Sequence, residues 1–148
     1  MGSVFNHVGL CVADLASSRR FYEELLGFEF WREINPPDDA TGKLLQLPEP
    51  LGMTACYLRR DGFVLELLHF SGKASEALPP RERPMNEPGL THISVSCDVD
   101  DICARVGEYG GKVLDDTNIG AAVMVRDPDG QLVELLPMAY RDSLEAEG

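Results

Sequence analysis

Two glutamates occupy the same place in two copies of one short motif. Residues 61–68 read Asp-Gly-Phe-Val-Leu-Glu-Leu-Leu, and residues 129–136 read Asp-Gly-Gln-Leu-Val-Glu-Leu-Leu. The glutamates are Glu66 and Glu134, and each lies within an otherwise apolar run of β-strand length. A carboxylate in such a strand must be protonated, paired or bound to a cation, because an unpaired buried charge costs several kcal/mol.

A histidine opens an apolar strand pattern ahead of each copy. His7 begins the sequence His-Val-Gly-Leu-Cys-Val, and His92 begins His-Ile-Ser-Val-Ser-Cys. For a single glutamate, an ion pair with an arginine would be the simpler explanation. Because the His and the Glu recur together, the sequence favours a divalent metal site, since two imidazoles and two carboxylates suit Zn, Ni, Co or Fe(II). His69 is left out of this set because strict alternation places it on the opposite face from Glu66.

The elements that must position these residues occur twice in the same order. In the first half, a helix from Asp14 to about Leu26 is predicted to end at Gly27, and the predicted strands are 4–12, 28–34, 53–59 and 63–70. In the second half, a helix over 99–109 ends at a Gly-Gly pair, and the predicted strands are 90–97, 112–114, 121–126 and 131–137. The pattern therefore predicts an α+β fold with two βαβββ modules.

We predict one domain over residues 1–148, divided into module 1 (3–70), a Pro-rich linker (71–89), module 2 (90–138) and an acidic tail (139–148) that frays. The stretch between His7 and Glu66 is longer than its counterpart in module 2, and a Pro-rich region over 35–50 accounts for the excess. This region is expected to be a loop with a short strand at 44–47. Either a flap over a site or an ordinary surface loop would fit.

The composition narrows the function classes. A chain of 148 residues with 44% apolar and 26% charged residues is typical of a soluble globular protein. We expect a cytoplasmic location, since neither an apolar run of membrane-spanning length nor a secretory signal is evident, and the cysteines form no CxxC pair. A net charge of −12 makes nucleic acid a poor partner, and an anionic substrate would need a local basic patch.

Three segments together resemble the vicinal oxygen chelate superfamily: His7–Leu10, Phe21–Phe28 and Asp127–Leu135. Its members include glyoxalase I, methylmalonyl-CoA epimerase, extradiol dioxygenases and the fosfomycin- and bleomycin-resistance proteins. The resemblance covers about residues 3–138 and implies paired modules that form a cupped mixed sheet with the helices outside. It also implies that the hollow binds one divalent metal ion per site (Zn, Ni, Co or Fe), with the ligands His7, Glu66, His92 and Glu134.

Within the superfamily, this ligand set is most similar to that of glyoxalase I. The resemblance implies a metal-dependent lyase or isomerase, like lactoylglutathione lyase, that moves the proton α to a carbonyl of a thiol adduct through a metal-stabilised enediolate. Glu66 and Glu134 would be the catalytic carboxylates. Glyoxalase I proteins usually carry an arginine for a glutathione carboxylate at the position of Cys11, so another thiol or an acyl-CoA could replace glutathione here.

Other functions fit the same fold. An acyl-CoA epimerase like methylmalonyl-CoA epimerase would use the same proton transfer, with a basic rim for the CoA phosphates drawn from Lys43, Arg59, Arg60, Arg81 and Arg83. A metal-free binding or resistance protein, or a dioxygenase-like member, is the alternative from another class. The expected partners are a small-molecule substrate and a second copy of the chain in a homodimer, and neither nucleic acid nor a membrane is expected.

Overall fold

A computed structural model of the chain describes residues 2–72 and 82–146. The chain divides into two compact units, Met1–Pro79 and Pro80–Gly148, and each contains one four-stranded sheet. The predicted α+β class with two βαβββ modules is confirmed. The central part of the predicted linker, residues 73–81, lies outside the described residues. None of the helices in this described part of the chain is long and apolar enough to cross a membrane.

The first unit has four strands and two helices. The strands are β1 (Val8–Cys11), β2 (Glu29–Ile34), β3 (Met53–Arg60) and β4 (Phe63–Phe70), and the helices are α1 (Leu15–Arg19) and α2 (Asp38–Leu45). The sheet order is β1-β4-β3-β2, in which β1 runs parallel to β4 and the other pairs are antiparallel. α1 leads directly into a π-helical turn, Arg20–Leu25, and Gly27 adopts a left-handed φ of 72° just beyond it.

Alternation along β4 separates the core from the site. Leu65 and Leu67 are fully buried, as are Phe21 and Tyr22 of the π-helical turn. Glu66 lies between the two leucines in sequence, so its side chain projects from the opposite face of the sheet. Packing of the apolar face therefore fixes the direction in which the carboxylate points.

The region over 35–50 contains a helix, so the prediction of a short strand at 44–47 is wrong. Two aspartates, Asp38 and Asp39, lie in the first turn of α2, where negative charge favours a helix. The Asp38 carboxylate also accepts hydrogen bonds from the backbone N–H groups of Leu51 and Gly52, at 3.0 and 3.2 Å. A contact across the insertion thus anchors this helix, and local sequence alone does not reveal it.

The second unit repeats the order of the first and adds a terminal helix. Its strands are β5 (His92–Cys97), β6 (Lys112–Leu114), β7 (Val123–Arg126) and β8 (Leu132–Pro137), and its helices are α3 (Val99–Arg105) and α4 (Met138–Ala146). Short 3-10 turns, Val106–Tyr109 and Asp115–Thr117, flank β6. The sheet order is β5-β8-β7-β6, with β5 parallel to β8.

Helix α4 shows that the prediction of a frayed acidic tail is wrong. The helix begins directly after β8, and the Arg141 guanidinium pairs with the Glu145 carboxylate one turn later, at 2.9 Å. Such pairs at i and i+4 stabilise exposed helices by a few tenths of a kcal/mol. The acidic composition is therefore compatible with a helix, because its charges are spaced to pair with a basic residue.

Candidate functional site

In the first unit, the predicted His and Glu lie in contact. β1 pairs with β4 so that Gly9 is opposite Glu66, and His7 lies just before β1. His7 Nε2 is 2.9 Å from Glu66 Oε2. Only 11% of the Glu66 side chain is exposed, compared with 33% of the His7 ring. The carboxylate is therefore enclosed, and the imidazole lies at its open side.

Tyr57 is the second partner of Glu66. It is the register partner of Glu66 on β3, its hydroxyl forms a hydrogen bond with that carboxylate, and its ring meets the His7 ring edge to face at 5.8 Å. Burial, the hydrogen bond to Glu66 and the negative charge of Glu66 together raise the pKa of Tyr57 to about 12, against the opposing effect of the Arg32 guanidinium. The phenol thus stays protonated and donates to Glu66 across the physiological pH range.

The second unit contains the matching pair with looser geometry. His92 Nε2 is 3.9 Å from Glu134 Oε1, and 25% of the Glu134 side chain is exposed. Ser94, opposite Glu134 across the parallel pair β5–β8, donates a hydrogen bond to Glu134 Oε1 at 2.7 Å. Met124 takes the register position that Tyr57 has in the first unit. The Glu134 side chain is therefore more exposed than that of Glu66. It is held by a hydroxyl on its parallel partner strand, β5, whereas Glu66 is held by a hydroxyl on its antiparallel partner strand, β3.

The residue before each histidine contacts the other ring nitrogen. Asn6 Oδ1 lies 2.6 Å from His7 Nδ1, and Thr91 Oγ1 lies 2.8 Å from His92 Nδ1. A partner that accepts a hydrogen bond from Nδ1, as Asn6 Oδ1 does, fixes the ring orientation and favours the tautomer in which Nε2 carries the lone pair, and the Thr91 hydroxyl oxygen can accept in the same way. In both units it is Nε2 that faces the carboxylate. Each imidazole is therefore oriented to bind a cation on the side of its glutamate.

The donor atoms suit a divalent ion. Imidazole nitrogen and carboxylate oxygen each bind Zn²⁺ at about 2.0–2.2 Å, which leaves neighbouring ligand atoms about 3 Å apart in an octahedral site and about 3.4 Å apart in a tetrahedral one. Of the two observed N···O distances, 2.9 Å in the first unit lies close to the lower value, and 3.9 Å in the second unit lies above the upper one. With Asn6 Oδ1 accepting from His7 Nδ1, the short Nε2 to carboxylate contact needs a proton or a cation between the two groups.

The structure groups the four residues as two His–Glu pairs, one in each unit. Among residues 2–72 and 82–146, three or more His, Cys, Asp or Glu side chains nowhere gather in a metal-binding cluster. His69 lies on the other face of the first sheet from Glu66, in register with Thr54 of β3. Its exclusion from the ligand set stays a prediction.

Sequence reasoning missed Tyr57, Asn6 and Thr91. A signal for Tyr57 was available, because the two-residue turn at Asp61–Gly62 sets the register of the β3–β4 hairpin and places residue 57 opposite residue 66. For Asn6 and Thr91 the signal was weaker. Both are polar residues that precede the histidine, which becomes meaningful only once the ring orientation is known.

The cations suggested for a phosphate-binding rim are partly engaged by protein groups. Arg59 lies 4.0 Å from the Glu29 carboxylate, and Arg60 pairs with Asp61 and donates to the Leu26 carbonyl. Arg83 donates to the carbonyls of two nearby residues, Pro88 and Leu90. Arg81 lies outside the described residues.

The chain is similar in sequence and in fold to several known proteins. A family model described as the Glyoxalase/Bleomycin resistance protein/Dioxygenase superfamily matches residues 4–135. A lactoylglutathione lyase of Pseudomonas putida is 29% identical, over 90% of this chain and 84% of its own length. Glyoxalase I of Saccharomyces cerevisiae is 26% identical over 93% of this chain, which spans only 44% of the yeast protein. The fold is shared with a glyoxalase family protein from Bacillus cereus, with a TM-score of 0.75 at 17% identity, over 90% of this chain and 92% of that one.

The Tyr57–Glu66 contact predicts an unusual tyrosine titration. In protein kept metal-free with a chelator, ultraviolet absorbance should show one phenol that ionises near pH 12, and Tyr57→Phe should remove it. The pKa is raised in the folded state, so this group contributes stability below the unfolded tyrosine pKa of about 10 and loses that contribution as pH rises towards 12.

Tyr140→Phe is the matched control, because Tyr140 is 53% exposed and its change should leave the phenol that ionises near pH 12 in place. Survival of that phenol in Tyr57→Phe would contradict the hydrogen bond to Glu66.

Proposed function

Since its residues 4–135 match the family model, the chain belongs to the glyoxalase/bleomycin resistance protein/dioxygenase superfamily, and we propose that it is a metal-dependent lyase or isomerase of the glyoxalase I type. Its substrate would be the adduct of a 2-oxoaldehyde with a low-molecular-weight thiol. The observation that carries the proposal is the repeated His–Glu pair with Nε2 facing the carboxylate in both units. The similarity to a lactoylglutathione lyase and to glyoxalase I supports this reaction.

The metal ligands in this proposal are His7, Glu66, His92 and Glu134. Each unit supplies one imidazole nitrogen and one carboxylate, so the complete set needs both modules, paired within one chain or between two chains of a homodimer. A bound divalent ion would polarise the substrate carbonyl and lower the cost of negative charge on its oxygens. Zn, Ni, Co and Fe all accept this combination of nitrogen and oxygen ligands.

Glu134 is the better candidate for the general base. Its side chain is more exposed than that of Glu66, 25% against 11%, and it lies farther from its histidine, 3.9 against 2.9 Å. In the reaction, this carboxylate would take the proton from the carbon that bears the thiol sulfur and the hydroxyl group. The proton then returns to the neighbouring carbon, while the hydroxyl proton passes to the former carbonyl oxygen, so the adduct becomes its isomer, a 2-hydroxy thioester, without an oxidant.

Glu66 is suited to remain in place as a charged ligand. The Tyr57 hydroxyl donates to it, and the short contact with His7 fixes its other side. Next to Tyr57, an apolar cluster of Leu51, Met53 and Ala55 is buried. Leu45, at the end of α2, and Leu47, just after it, pack against the same cluster. This apolar surface would exclude water beside the carboxylate, which strengthens the electrostatic interactions there.

The proposed roles predict that Glu134→Gln harms turnover more than metal retention. With methylglyoxal and glutathione, or another thiol tested in parallel, turnover followed by thioester absorbance should fall about 100-fold or more, which is the usual contribution of a general base. Metal content measured on the same preparation should fall much less.

Glu108→Gln changes an exposed glutamate in the 3-10 turn Val106–Tyr109 and should leave both quantities unchanged. Equal losses of turnover and metal in Glu134→Gln would mean that Glu134 is a metal ligand and not the general base. A native protein without turnover in the presence of each of the four metals would contradict the proposed function.

The contact of Thr91 with His92 predicts an effect on metal affinity. Thr91→Val keeps the side-chain shape but removes the hydroxyl that lies 2.8 Å from His92 Nδ1. Loss of such an orienting partner typically weakens metal binding about 10–100-fold. Competition with a chromophoric chelator measures this affinity directly.

Thr54→Val makes the same chemical change on β3, where the hydroxyl accepts a hydrogen bond from Asn35. This variant should bind metal as tightly as the native protein. If Thr91→Val also bound metal with native affinity, the hydroxyl would have no part in orienting the imidazole.

A further inference from the structure

A β-bulge in β2 turns two neighbouring side chains towards Tyr57. Phe30 pairs with Leu58 and Arg32 pairs with Tyr57, which leaves Trp31 as an extra residue between the two register pairs. The Trp31 ring nevertheless meets the Tyr57 ring edge to face at 6.1 Å, and the Arg32 guanidinium lies on the same tyrosine. Bulges commonly redirect side chains in this way beside functional sites.

The three side chains form a stack that holds the guanidinium by its faces. The guanidinium carbon of Arg32 lies 4.5 Å from the centroid of the Trp31 ring and 4.9 Å from that of the Tyr57 ring. Stacking on aromatic rings leaves the N–H groups at the edge of the guanidinium plane available to bind a carboxylate or phosphate through two parallel hydrogen bonds. Among residues 2–72 and 82–146, Arg32 forms neither an ion pair nor a side-chain hydrogen bond.

The stack lies beside the candidate metal site. The Tyr57 ring that supports Arg32 is the one whose hydroxyl donates to Glu66 and whose edge faces His7. A substrate with its carbonyl at Glu66 would therefore reach Arg32 across the length of one tyrosine side chain. The other arginines of this sheet are less suitable, because Arg59 pairs with Glu29 and Arg60 pairs with Asp61.

We propose that Arg32, held between Trp31 and Tyr57, is a specificity-determining residue that binds an anionic group of the substrate through the edge of its guanidinium. The inference rests on the proposed function, because it assigns the charged part of the thiol adduct to this arginine. A local cation is needed for such a substrate, since the chain carries a net charge of −12 and repels anions at long range.

The test uses the fluorescence of Trp31, the single tryptophan of the chain, to measure ligand binding without any reaction. Three probes are compared. S-methylglutathione presents carboxylates, its dimethyl ester presents none, and coenzyme A presents phosphates. In the native full-length protein, S-methylglutathione or coenzyme A should bind about tenfold more tightly than the ester, as expected for charge-assisted hydrogen bonds. The probe that shows this preference identifies the anionic group as carboxylate or phosphate.

Arg32→Gln should abolish the preference, so that the anionic probe binds about as weakly as the ester. Arg32→Lys should restore it only in part, because an ammonium lacks the planar fork. Arg141→Gln removes an exposed arginine of helix α4, which pairs with Glu145 of the same helix, and should keep the native preference. Circular dichroism of each variant reports whether the fold is retained.

Two results would overturn the proposal: an anionic preference that survives Arg32→Gln, or a native protein that binds neither anionic probe more tightly than the ester. A native protein without turnover would count against the proposed function alone, because the titration measures binding and no catalysis.

Discussion

The burial of the Glu66 carboxylate is the constraint on which the first unit depends. The two leucines that flank it in β4, Leu65 and Leu67, pack in the core, and this forces the carboxylate onto the opposite face. A charge enclosed there needs partners, because desolvation of a carboxylate costs several kcal/mol. The unit supplies His7 from just before the parallel strand β1 and Tyr57 from the antiparallel strand β3. The mixed sheet is thus the device that brings both partners to one carboxylate.

The second unit holds its carboxylate, Glu134, with different side chains, and these differences fit the different roles proposed for Glu134 and Glu66. Ser94 stands where the first unit has Gly9, and Met124 stands where it has Tyr57. Glu134 is consequently held less tightly and is more exposed than Glu66. A carboxylate that must exchange a proton with a substrate benefits from such freedom, whereas one that anchors a metal benefits from rigidity. The duplicated fold therefore offers two chemically similar groups in unequal surroundings.

Much of this arrangement could be predicted from the sequence, because it follows from short-range patterns. Alternating apolar residues located the strands, and the two Asp-Gly-containing motifs placed Glu66 and Glu134 at equivalent positions. The parts that failed depend on longer-range contacts. α2 is anchored by Asp38 through backbone groups beyond the insertion, and the stacking of Arg32 on Trp31 and Tyr57 occurs at a bulge that local residue patterns do not predict. Local patterns predict elements, whereas tertiary contacts decide which polar side chains meet.

Elemental analysis tests the central claim that the two His–Glu pairs act together on one divalent ion. The full-length protein would be reconstituted with Zn or Ni, freed of excess metal and analysed beside the Glu66→Ala/Glu134→Ala double variant. One ion per chain in the native protein, lost in the double variant, is the predicted result, because each ion requires one pair of each kind. Two ions per chain would show that each pair binds metal separately, and no metal in the native protein after reconstitution would leave a metal-free binding protein on this fold.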